Sequence, residues 1–67
     1  MNMISKDRDA AFYTIDDIAD LLQITNKAVR NRIARGGGGK DIPPFVKIGG
    51  LIRFKVSDTQ DWYQNLV

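Results

Sequence analysis

A chain of 67 residues makes one domain, and at this size only about 60% of the unfolded chain's surface is buried, so the core is small and a deep enzyme pocket is not expected. With no cysteine and no histidine there are no disulfides, no thiolate nucleophile, no imidazole base and none of the usual zinc ligands, so neither enzymatic activity, a metal site nor a cofactor is expected. The net charge of +2 hides an asymmetry: residues 27 to 55 carry eight basic side chains against Asp41 alone, a local +7, while the rest sums to −5. Such a concentration of one sign is the electrostatic footprint of a nucleic-acid binder.

The opening residues, MNMISKDRDAA, are polar and aperiodic and are expected to form a flexible tail over 1–11, with a single domain over 12–67. No run approaches the roughly 20 apolar residues that span a bilayer, so a cytoplasmic protein without a membrane partner is expected. Thr14 followed by Asp17 has the form of a capping box, and Ile15, Ile18, Ala19 and Leu22 recur on one helical face, which predicts a first helix over 15–22. Asp16, Asp17 and Asp20 lie on the opposite face, where the first two suit the positive end of the helix dipole.

Gln23 and Ile24 leave room only for a tight turn, with Ile24 plugging the corner, and Thr25 is a good N-cap for a second helix reaching Arg35. Gly36 then takes the left-handed position that ends it. Val29 and Ile33 form its apolar stripe. At about 100° per residue Lys27 and Asn31 point the other way, with Arg30 and Arg32 on the flanks.

The stretch RGGGGKDIPP follows. A phosphate-binding P-loop needs G-x-x-x-x-G-K and then Ser or Thr, between a strand and a helix. Here the run follows a helix and Asp41 stands in the Ser/Thr position, so the glycines are read as a flexible spacer, with Lys40 able to approach a phosphate. FVKIGGLIRFKV predicts a hairpin. A loop of Gly49 to Leu51 would put Ile48 opposite Ile52 and Val46 opposite Phe54 on one apolar face, and Lys47 opposite Arg53 on a basic outer face with Lys55. One-sided burial favours that register over a two-residue Gly49-Gly50 turn. Ser57 and Gln60 suggest a capping box for a last helix from about 58 to the end, with Trp62 and Leu66 inward.

The resulting fold class is α+β: a winged helix-turn-helix, in which a helix-turn-helix is followed by a two-stranded antiparallel hairpin and a C-terminal helix. In such a unit the second helix enters the major groove of duplex DNA. Asn26, Lys27 and Asn31 are the candidates for base contact. Thr25, Arg30, Arg32, Lys47, Arg53 and Lys55 are the candidates for phosphate, with Lys40 in the linker and Leu51 at the wing tip as further contacts.

YTIDDIADLLQITNKAVRNRI and IPPFVKIGGLIRFKVSDTQDWY together resemble the small winged-helix proteins of the MerR-like superfamily, and within it the phage and plasmid excisionases and AlpA-like regulators. The resemblance implies duplex DNA as partner, a helix in the major groove and a wing beside it. It also implies a recombination directionality factor that bends attachment-site DNA and steers an integrase toward excision, with neighbouring protomers on the DNA. Two other readings remain open: a transcriptional regulator of the AlpA type, and a protein-interaction module acting on an integrase without DNA. Two departures stand out. Gln23 replaces the usual glycine of the turn, and Leu51 lies where relatives often carry basic residues.

Overall fold

The computed structural model describes residues 12–66, so the expected tail over 1–11 and the final Val67 lie outside the described residues. In chain order the elements are β1 (Phe12–Tyr13), α1 (Ile15–Leu22), α2 (Asn26–Ala34), β2 (Val46–Ile48), β3 (Leu51–Lys55) and α3 (Val56–Leu66). The winged helix-turn-helix arrangement is present. One element is additional: β1 pairs with β3, so the sheet has three antiparallel strands in the order β1-β3-β2.

α1 forms where its pattern places it. Thr14 accepts a hydrogen bond from the Asp17 amide at 3.1 Å, and the Asp17 carboxylate accepts one from the Thr14 amide at 2.9 Å, closing the capping box. Ile18 and Ala19 are buried against Val29, Ile42 and Phe54, with Ile24 and Ile33 packed at the margin. Gln23 closes the helix in the left-handed region at φ 58°, and the Ile24 amide reaches back to the Ala19 carbonyl at 3.0 Å. A side chain with a Cβ is strained there, whereas glycine is not. Gln23→Gly is therefore expected to stabilise the domain by about 0.5–1 kcal/mol, after allowing for the greater chain entropy of glycine. A thermal melt should rise by several degrees.

The hairpin differs from its expected register. Val46 pairs with Arg53, Lys47 with Ile52 and Ile48 with Leu51, across a two-residue turn at Gly49 and Gly50. Both glycines have positive φ, 58° and 84°, as a type I′ turn requires. The burial argument fails because β2 is an edge strand whose three residues are all exposed, so it has no apolar face to bury. Turn chemistry decides instead. Lys47 consequently shares a face with Ile52, while Arg53 and Lys55 share theirs with Val46, Ile48 and Leu51.

α3 begins at Val56, directly after β3, so Ser57 sits inside the first turn and forms no capping box. Thr59, almost fully buried, donates its hydroxyl to the Lys55 carbonyl at 2.9 Å. The inward stripe is Val56, Thr59 and Trp62, three apart, whereas Leu66 is 58% exposed. No helix among the described residues is long and apolar enough to cross a membrane.

The glycine run is folded rather than a slack spacer. The Gly37 amide bonds the Arg32 carbonyl, the Gly39 amide the Ile42 carbonyl and the Lys40 amide the Gly37 carbonyl, each at 2.8 Å. Ile42 and Pro43 are buried, and the Trp62 indole N–H donates to the Lys40 carbonyl at 3.0 Å. A Cβ on Gly38 would stand 2.8 Å from the Phe45 ring, so glycine is needed there for close approach rather than for slack.

Candidate nucleic-acid interface

α2 presents its polar face outward as the spacing requires: Lys27, Arg30, Asn31 and Ala34 are exposed, while Val29 is fully buried. Thr25 caps the helix, its hydroxyl accepting from the Ala28 amide at 3.0 Å. That bond occupies one lone pair and leaves the hydroxyl proton available to an outside acceptor. Gly36, at φ 76°, takes the chain out of the last turn.

The candidate side chains are not equally available. The Asn26 amide nitrogen donates to the Asp16 carboxylate, and its oxygen accepts from Arg30 Nε at 2.5 Å. Asn26 thus has both ends of its amide engaged within the protein. Arg32 leans the other way, toward the glycine loop, where its Nη1 donates to the Asp41 carbonyl at 3.2 Å and its Nε lies 3.7 Å from the Asp41 carboxylate. Arg35 meets the same carboxylate at 2.9 Å. Asp41 is therefore an internal counter-ion to two arginines, one on α2 and one at its end.

The wing supplies Arg53 and Lys55 on one face. Arg53 is half-buried and donates from Nη1 to the Ile52 carbonyl at 2.7 Å, which steadies its stem; Lys55 is exposed opposite Phe12. Lys47 is exposed on the other face of the sheet and does not join them. Leu51 opens β3 beside the turn and is 56% exposed, next to Ile48 at 47%. Lys40 projects from the glycine loop.

A cleft of about 370 Å³ joins the two parts. Its walls are the start of α1 (Thr14, Ile15, Asp16), α2 (Asn26, Arg30) and the hairpin from Gly50 to Arg53. Arg30, Asn26, Leu51 and Arg53 are thereby brought together, while Lys27 and Asn31 lie along the helix outside the cleft. Sequence reasoning missed Asp16, Arg35 and Asp41 as participants. Asp41 carried a signal, as the lone acid among eight basic residues. Asp16 carried none, because its partner is ten residues away across a turn.

No curated protein and no solved structure matches the chain. The family model described as a helix-turn-helix domain matches residues 12–66, which takes in every element of the fold. The chain therefore belongs to the helix-turn-helix domain family, whose helix-turn-helix unit binds DNA.

Proposed function

We propose that the protein binds duplex DNA sequence-specifically and acts as an excisionase, a recombination directionality factor of the MerR-like superfamily that bends attachment-site DNA and steers an integrase toward excision. The observation that carries the DNA reading is the outward row of Lys27, Arg30 and Asn31 on a capped helix whose other face is core, with the Arg53 and Lys55 face of the wing beside it. Amide and cationic side chains on such a helix read base edges, and wing cations hold phosphate.

The exposed Val46, Ile48 and Leu51, which share a face with Arg53 and Lys55, favour excision over simple operator occupancy. An apolar strip beside the DNA-facing cations suits contact with a neighbouring protomer or an integrase on the same duplex. A small transcriptional regulator of the AlpA type is the second reading, resting on the same recognition helix without need of that strip.

Mobility shifts on randomised duplexes at low salt test the core of the proposal, and failure to shift any duplex would sink it. On the selected site, Asn31→Ala is expected to lose about 1–3 kcal/mol of discrimination confined to one or two base pairs. Equal losses on selected and random DNA would remove Asn31 from the base-reading set. An excision assay with the integrase of the same element then separates the two readings. Stimulated excision supports the directionality factor, and promoter repression without it supports the regulator.

A further inference from the structure

We propose that Asp16 and Asn26 form a buttress that presents Arg30 end-on to a guanine, making Asp16 a positioning residue for base recognition. The inference rests on the duplex-binding reading above and reassigns Arg30 from phosphate to base contact.

A carboxylate only accepts hydrogen bonds, so Asp16 fixes which way the Asn26 amide points: nitrogen toward Asp16, oxygen toward Arg30. The Asn26 oxygen in turn takes Arg30 Nε at 2.5 Å. With Nε spent, Arg30 is left with the parallel fork of Nη1 and Nη2. That fork matches the two acceptors of guanine in the major groove, N7 and O6. Adenine offers N7 and an amino group there, so one N–H of the fork would face another N–H.

A phosphate contact can use the fork but does not require it to be fixed beforehand. Any N–H of a freely rotating arginine satisfies a phosphate oxygen, and the Asp16 carboxylate in the wall of the same cleft repels a phosphate strand. Asp16 and Arg30 are exposed while Asn26 is half-buried between the helices, so the amide is the fixed member and the guanidinium is the one held out to solvent. An orientation fixed before binding loses less side-chain freedom when the base is met.

The test uses the full chain and the preferred duplex recovered from a randomised pool. Each guanine is replaced in turn by 7-deazaguanine, which lacks the N7 acceptor, and affinities are read by competition. Wild type is expected to show one guanine at which the replacement costs about tenfold. Asp16→Asn keeps an acceptor for the Asn26 amide, whose flipped form would set N–H against Arg30 Nε, and should keep that sensitivity, whereas Asp16→Ala should reduce it to under about threefold. Both variants lose the same charge, so both should bind random duplex more tightly than wild type. Equal 7-deazaguanine sensitivity in the three proteins would overturn the buttress while duplex binding stands, as would a wild type sensitive at no guanine. A wild type that binds no duplex would overturn both readings.

Discussion

Deletion of Gly38 and Gly39 is expected to leave the domain largely unfolded at 25 °C, not merely slower to dock on DNA. The two residues belong to a knot of contacts: the Gly39 amide on the Ile42 carbonyl and the Ile42 amide on the Gly37 carbonyl, which together bridge Gly38 and Ile42, and the Lys40 amide on the Gly37 carbonyl. Losing about three hydrogen bonds costs about 1 kcal/mol each. Withdrawing the fully buried Ile42 from beside Phe54 and Val29 adds about 2–5 kcal/mol, as for its truncation to alanine. Trp62 also loses the Lys40 carbonyl that its indole N–H meets. The total, about 5 kcal/mol or more, matches the lower end of the stability of small domains. Far-ultraviolet circular dichroism and the fluorescence of Trp62, the one tryptophan, report the outcome. A variant with an unchanged melt and weakened DNA binding would show the run to be a spacer after all.

The parts that were legible in the sequence are those whose cause is local. Thr14 and Asp17 cap α1 because their spacing alone brings each side chain to the other's amide, and Thr25 caps α2 for the same reason. Gly36 ends α2 because only its own φ is at stake. One-sided burial misleads about the hairpin register because an exposed edge strand has no face to bury, and the paired glycines, able to take positive φ, are the better signal. β1 is two residues long and its pairing with β3 is non-local, so no periodicity announces it. The glycine loop looks like slack by composition, yet Gly37 and Gly38 serve as sites of close approach to the Arg32 carbonyl and the Phe45 ring. Contacts of that kind depend on which distant element comes near. The outward face of α2 followed from helical geometry, but the engagement of Asn26 by Asp16 and of Arg32 by Asp41 did not, since each needs two elements already packed.

Raising salt from 50 to 200 mM is expected to weaken duplex binding by about 40-fold, and replacing Asp41 by asparagine should steepen that dependence. Three cations, Lys40, Arg53 and Lys55, stand in the linker and on the proposed DNA-facing side of the wing without an ion pair among the described residues. If each neutralises one phosphate, log K falls with log salt at a slope of about −2.7, and a fourfold rise in salt gives the loss stated. Asp41 holds Arg35 at 2.9 Å and Arg32 at 3.7 Å, so these two arginines are partly spent on the protein's own carboxylate. Asp41→Asn releases Arg35, while Arg32 keeps its bond to the residue 41 carbonyl. One further phosphate contact takes the slope to about −3.6 and raises affinity at low salt. The exposed pair contributes only about 0.2–1 kcal/mol to folding, so the variant should remain folded and the binding change can be read directly. An unchanged slope would place Arg35 away from the DNA and leave Asp41 with a purely structural part, holding the glycine loop against the end of α2.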